Sequence, residues 1–246
     1  MIFIKQLTNI DFAYLKKGNP FGETLIVDVA VYGNNSSKGL VIDFFNIKKK
    51  IRAVLDKFDH KVLTKSKLEI ASKWVIAFDY SRKKLEHRIN RLINIKLPKN
   101  VKRIKLSLRK ETGDFCFFSY THGLKFHQGS CYNPLHGHYN KFEIFRNGKK
   151  FRRGEKWIYE KYLAKSPYIA DIDYLRDEKK DYYILGYDTY RIKVKKTKVI
   201  FIDGYPTIEN IAGYFYTLLQ KKFSNIGVVF YEGISKGCCL GQVIDF

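Results

Sequence analysis

The chain has 246 residues, 45% of them hydrophobic and 16% aromatic, a composition too rich in Tyr and Phe for a disordered polymer and long enough for one large domain or two small ones. No apolar run reaches the roughly 18 residues that cross a bilayer, and MIFIKQLTNIDF lacks the basic start, apolar stretch and cleavage site of a signal peptide, so a cytoplasmic protein is expected. The formal charge of +22 predicts a positive surface that draws in polyanions, whether nucleic acid or a phosphorylated small molecule, and Cys116, Cys131, Cys238 and Cys239 fall in no disulfide framework.

In chain order, a strand-like start over Met1 to Tyr14 precedes Thr24 to Tyr32, whose period-two apolar pattern predicts a strand. Gly33 to Gly39 is turn-rich. Val41 to Leu55 then places Phe44, Ile47, Ile51, Val54 and Leu55 at helical spacing and ends in Phe58-Asp59-His60. A second amphipathic helix is expected over Arg82 to Ile93, followed by an alternating strand over Val101 to Leu108. The second half opens the same way, with strands over Phe115 to Tyr120 and Tyr139 to Phe145, and continues through a long polar and aromatic middle. A helix over Pro206 to Leu219 has Pro206 and Thr207 at its start and Glu209 where a carboxylate favours the helix dipole. A strand over Ile226 to Tyr231 ends the series. Cut near residue 115, the chain reads as an internal repeat, an α+β unit over 1–114 and another over 115–246. Each half carries a Glu just after its last strand, Glu111 and Glu232.

The densest cluster of chemistry lies in the second half. His136 and His138 are separated by one residue, so on a strand both imidazoles point to one face. His122, from the neighbouring strand, completes a three-His set of the kind that binds catalytic zinc with one open position; His127, in the intervening loop, is the substitute if His122 is misassigned. Cys131 precedes His136 by five residues, where a nearby cation favours a thiolate base or nucleophile. Asp59-His60 sets a carboxylate beside an imidazole, a pairing that orients a proton carrier. Glu111 and Glu232 can each accept two hydrogen bonds from a guanidine-like ring edge.

These pieces together resemble the family of 6-pyruvoyltetrahydropterin and 6-carboxytetrahydropterin synthases, whose unit is the tunnelling fold. The likeness rests on Phe118 to His122, on Cys131 before His136-Gly137-His138, on Gly39 to Phe44, on Phe58 to Leu63, on Pro206-Thr207-Ile208-Glu209-Asn210-Ile211-Ala212, and on Glu232. The resemblance implies zinc held by His122, His136 and His138, and catalysis by Cys131, Asp59 and His60. It places Glu232, Thr207, Glu209 and Glu111 at the substrate, a pterin triphosphate, 7,8-dihydroneopterin triphosphate, converted to a 6-pyruvoyl or 6-carboxy product. It also implies a homo-oligomer in which the antiparallel sheets join into a barrel. No half carries the whole set. The first has Asp59-His60 but reads Phe12-Ala13-Tyr14 and Gly22-Glu23-Thr24 in place of the metal loop; the second has the metal loop but offers Asp188-Thr189 for Asp-His and Asp171-Ile172 for the Asp43-Phe44 pair. Complementary losses of this kind predict one site assembled from both halves. A protein of this fold that binds tRNA or another polyanion without catalysis, or that transforms a different purine or pterin, is the alternative.

Overall fold

Residues 2 to 33 form one long hairpin of β1 (Ile2–Lys16) and β2 (Asn19–Gly33), closed by Lys17 and Gly18 with φ values of +50° and +73°, the two-residue turn that matches strand twist. β2 begins at Asn19 rather than at Thr24 because Pro20 reads as a breaker; it is tolerated there since β2 meets its second neighbour only from Ile26 onward. The structure, a computed structural model, describes residues 1–35, 41, 43–68, 72–94, 97, 99–124, 132–186 and 190–243.

Helix α1 (Phe44–Leu55) starts after Asp43, whose carboxylate accepts from the Phe45 amide at 3.0 Å, and buries Ile47, Ile51 and Leu55 one turn apart. β3 (Val62–Thr64) and β4 (Val75–Ala77) are too short to show a periodic signal. α2 (Arg82–Ile93), capped by Ser81, turns Leu85, Ile89 and Ile93 inward, and β5 (Val101–Arg109) completes a sheet of order β4-β3-β1-β2-β5.

The second half repeats this plan with β6 (Cys116–His122), β7 (His136–Arg146), the short β8 (Lys149–Lys150), α3 (Arg152–Ile158) and β9 (Tyr168–Asp171). An inserted sheet of β10 (Leu175–Glu178), β11 (Tyr182–Leu185) and β12 (Ile192–Lys195) follows. Then come β13 (Val199–Ile202), α4 (Ile208–Gln220), β14 (Ile226–Glu232) and β15 (Lys236–Gly241), giving the order β13-β9-β6-β7-β14-β15. α3 escapes sequence periodicity for two reasons. Its N-terminal residue Phe151 makes no side-chain cap bond, and the helix passes into a π turn over Tyr159–Leu163, so the buried Ile158 and Leu163 stand five residues apart.

The two sheets share their register as well as their order. Ala13 pairs with Val62 in parallel and donates its N–H to Lys61 at 2.9 Å; Thr121 pairs with Tyr168 and donates to Pro167 at 3.0 Å. Across the hairpins Ala13 pairs with Gly22 and Thr121 with Gly137. Tyr14, Phe21 and Glu23 therefore occupy the positions of His122, His136 and His138. His60 and Ser166, with φ of +54° and +52°, are the matching left-handed residues after each first helix. The counterpart of Asp59-His60 is thus Lys165-Ser166, whereas Asp188-Thr189 lies outside the described residues. Asp171, matched in sequence to Asp43, ends β9 instead and accepts from the Asp173 amide.

The halves meet where the equivalent glycines cross. A Cβ on Gly137 would lie 2.5 Å from the Gly22 Cα, and one on Gly22 would lie 2.0 Å from the Tyr120 carbonyl oxygen. Ser119 Oγ accepts from the Gly22 N–H at 3.0 Å and donates to its carbonyl at 2.7 Å, and the Tyr139 N–H donates to Thr24 Oγ1 at 3.0 Å. Besides a core in each half, a third cluster bridges them, with Ala13 and Val62 packed among Leu135, Tyr168, Ala170 and Tyr174. Among the described residues no helix is long and apolar enough to cross a membrane.

The crossing predicts that Gly22→Ala or Gly137→Ala costs about 3 kcal/mol of stability through backbone overpacking. Gly213→Ala on α4, where nothing lies within 4 Å of the new Cβ, should be neutral or stabilising by up to about 1 kcal/mol. Thermal and denaturant melts of the three variants check this; equal melting of all three would remove the crossing as a constraint.

Candidate metal and acid–base site

Strand alternation on β6 and β7 does the first work, setting His122 opposite His136 and Tyr120 opposite His138. All three imidazoles are buried, and one nitrogen from each lies within 4.8 Å of the other two. Ring centroids are 4.3 Å apart for His122 and His136, and 5.1 Å for His136 and His138. Among the described residues, the buried Nε2 atoms of His136 and His138 have no hydrogen-bond partner. Burial, with the neighbouring His122, His138 and His60, holds His136 well below the usual imidazole range, so the ring is neutral near pH 7 with a lone pair to give. Converging buried imidazole nitrogens fit a cation, and three imidazoles are a zinc donor set.

The first half completes this site within the same chain. Asp11 on β1 places Oδ1 3.3 Å from His138 Nδ1, the carboxylate partner that fixes the tautomer and direction of a metal-ligating imidazole. Asp11 is itself held by Thr24 Oγ1 at 2.5 Å and Asn9 Nδ2 at 2.8 Å. Burial alone would raise its carboxyl, but His138, Thr24 and His60 together hold it below the usual value. Asp59 Oδ1 accepts from the Asp11 amide at 2.8 Å, and its Oδ2 pairs with Arg52 at 2.9 Å. The next residue, His60, sets Nδ1 3.2 Å from Asp59 Oδ1 and its ring 5.1 Å from that of His136. Asn133 Nδ2 donates to the His60 carbonyl at 2.8 Å and its backbone carbonyl faces His136 Nδ1, tying Asp59-His60 to the triad. Cys131 and His127 lie outside the described residues.

A cavity of about 170 Å³ opens beside His138, lined from the first half by Asn9, Asp11 and His60 and from the second by Leu124, Glu232 and Lys236 among others. Asn140 fixes the Glu232 strand end, donating to the Tyr231 carbonyl at 2.6 Å and accepting from the Gly233 amide at 3.0 Å. The other predicted residues stand apart from this cavity. Thr207 caps α4 and Glu209 sits in its first turn. Glu111 pairs with Lys141 at 2.7 Å, and the register corrects its equivalence to Glu232: Val27 pairs with Leu108 as Phe142 pairs with Phe230, so Lys110 holds the Glu232 position. A one-residue slip turns Glu111 to the opposite face. Sequence reasoning missed Asp11, Asn133 and Asn140; the available signal was a carboxylate and two amides within otherwise apolar strand-like stretches.

A family model described as 6-pyruvoyl tetrahydropterin synthase matches residues 7–106 and 114–237. No curated protein gives a significant match. Among solved structures, the chain is similar to 6-pyruvoyl tetrahydropterin synthase from Plasmodium vivax, with 14% identity over 99% of this chain and 97% of that one and a TM-score of 0.26. The Plasmodium falciparum enzyme gives 12% identity over the same shares, with a TM-score of 0.26. An uncharacterised protein from Wolinella succinogenes is 17% identical over 51% of this chain and 94% of that one, with a TM-score of 0.35.

With ligands in one half only, about one metal per chain is expected, falling to none in the His136→Ala, His138→Ala double variant. Asp11→Asn should fold and keep the three ligands yet bind metal about 10- to 100-fold more weakly. Elemental analysis and competition with a chelator read both; two metals per chain, or an unchanged affinity in Asp11→Asn, would count against this geometry.

Proposed function

The chain belongs to the 6-pyruvoyl tetrahydropterin synthase family, and on that premise we propose that it is a zinc-dependent lyase acting on 7,8-dihydroneopterin triphosphate. The product is a 6-pyruvoyl-tetrahydropterin, released with triphosphate, or a 6-carboxy-tetrahydropterin, released with triphosphate and acetaldehyde. The observation that carries this reading is the meeting, inside one chain, of the three imidazoles with Asp59-His60 beside a cavity that ends in Glu232. His122, His136 and His138 would hold the zinc, which when bound supplies Lewis acidity to the oxygens of the substrate side chain.

The chain's own groups supply the proton handling. Cys131 is the base that removes a proton from the side-chain carbon, five residues from His136 in sequence. His60 delivers or relays the proton at the substrate oxygen, and Asp59, braced by Arg52 and the Asp11 amide, keeps the imidazole pointed. Glu232 accepts from the N–H edge of the pterin ring. The charge of +22 suits a triphosphate. The two tunnelling-fold units are taken as residues 1–114 and 115–246. Their outer strands β4, β5, β13 and β15 leave edges that support pairing with further copies into a barrel, a homo-oligomer of two or three chains whose mass light scattering would read.

Incubation with 7,8-dihydroneopterin triphosphate should yield triphosphate and a pterin product identified by mass, with turnover lost to a chelator and restored by zinc. Cys131→Ala should retain metal while losing turnover by about 10²-fold or more, and His60→Ala should lower kcat by about 10²-fold. Substrate left intact by the zinc-loaded protein would refute the assignment, and loss of metal together with activity in Cys131→Ala would make that residue a ligand.

A further inference from the structure

The internal twofold relation generates a second cavity at the position equivalent to the triad. It measures about 210 Å³ and is lined by Tyr14, Phe21, Lys110, Phe117, Tyr139 and Ser166 among others. Position by position its chemistry is rewritten. Tyr14, Phe21 and Glu23 replace the three imidazoles, and Ser119, Lys165 and Lys110 replace Asp11, Asp59 and Glu232. Three carboxylates have given way to one hydroxyl and two ammonium groups.

The replacements form an organised surface. Phe117 and Tyr139 stack with centroids 5.3 Å apart and planes 3° apart, and Tyr14 stacks on Phe21 at 5.6 Å. Lys110 Nζ sits 4.1 Å from the Tyr139 ring centroid and 2.8 Å from the buried Glu23 Oε1, which leaves it fixed at the cavity wall. Tyr80 donates to the other Glu23 oxygen at 3.1 Å, and Lys198 Nζ lies 4.1 Å from the Phe21 ring centroid on the same flank. Glu23 is paired with Lys110, and Glu111, whose charge also reaches Tyr139, with Lys141, which leaves the Lys198 ammonium at the Phe21 ring as added positive charge on this flank. Aromatic faces recruit flat rings, and a positioned ammonium recruits an acceptor edge.

We propose that this cavity is a second, metal-free ligand site that takes a planar heteroaromatic ring bearing an anionic or carbonyl edge, stacked on the Phe117–Tyr139 pair with its acceptor toward Lys110. The inference rests on strand register and cavity chemistry, independently of the reaction assigned to the triad. Among the described residues, His122, His136 and His138 form the cluster suited to a metal, so the second site differs from the first in having no need of one.

The probe is pterin-6-carboxylate, fluorescent and singly anionic at its substituent, titrated into metal-stripped protein carrying His136→Ala and His138→Ala. Saturable binding with quenched emission is expected there, at least 10-fold weaker for neutral 6-hydroxymethylpterin and weakened by salt. Phe117→Ala and Lys110→Met, each added to that background, should weaken it at least 10-fold; the first leaves the Glu23 ion pair intact and so covers the case in which the second misfolds. Absence of binding in the background protein, or binding indifferent to Phe117→Ala, would overturn the proposal. Failure of the lyase assay with this binding intact would remove only the catalytic assignment.

Discussion

Contact between two backbones, at Gly22 and Gly137, is the constraint on which the molecule turns. Hydrogen on each Cα allows the β1–β2 hairpin to lie directly against the β6–β7 hairpin. At that separation Ser119 can bond both polar groups of Gly22, and Thr24 can bridge the Tyr139 amide to Asp11. Asp11 then reaches His138, and the turn after α1 delivers His60 to His136. A side chain at either glycine would push the hairpins apart, and His138 would lose the Asp11 carboxylate that directs it. The placement of Asp11 beside His138 depends here on the absence of two methyl groups.

That crossing is symmetric while its two flanks are not. One flank carries imidazoles backed by Asp11 and Asp59, and the other carries aromatic rings with Glu23 clamped by Lys110 and Tyr80. Burial pushes the Glu23 carboxyl up, with Lys110 and Tyr80 pulling against it. Each half keeps what the fold requires, and the residues that the proposed reaction would use are divided between them. The left-handed residue after the first helix persists in both, as His60 and as Ser166, which marks it as a property of the fold that the first half also uses to aim an imidazole.

Much of this was legible in the sequence because its signals were local. The H-x-H pair on a strand, the helical stretches ending at Leu55 and Ile93, the helix that starts at Thr207, and the repeat itself follow from periods of two and 3.6 residues. What escaped was non-local or aperiodic. The π turn over Tyr159–Leu163 shifts the apolar spacing of the second half's first helix and hid the true counterpart of Asp59-His60. The equivalence of Lys110, rather than Glu111, to Glu232 depends on pairing with β2, which single-strand inspection cannot supply. Asp11 declares its role only when a strand 127 positions away in sequence brings His138 to it.

The central claim is that a single chain builds its site from both halves, and complementation between inactive proteins tests it most directly. His60→Ala protein and protein carrying His136→Ala with His138→Ala are mixed under conditions of proven subunit exchange, and turnover of 7,8-dihydroneopterin triphosphate is measured. With His60 held 5.1 Å from His136 of its own chain, every site in the mixture lacks either the acid–base group or the triad, and no activity returns. Recovery toward about a quarter of wild-type turnover in an equimolar mixture would contradict the account, because it would require His60 and the triad to come from different chains.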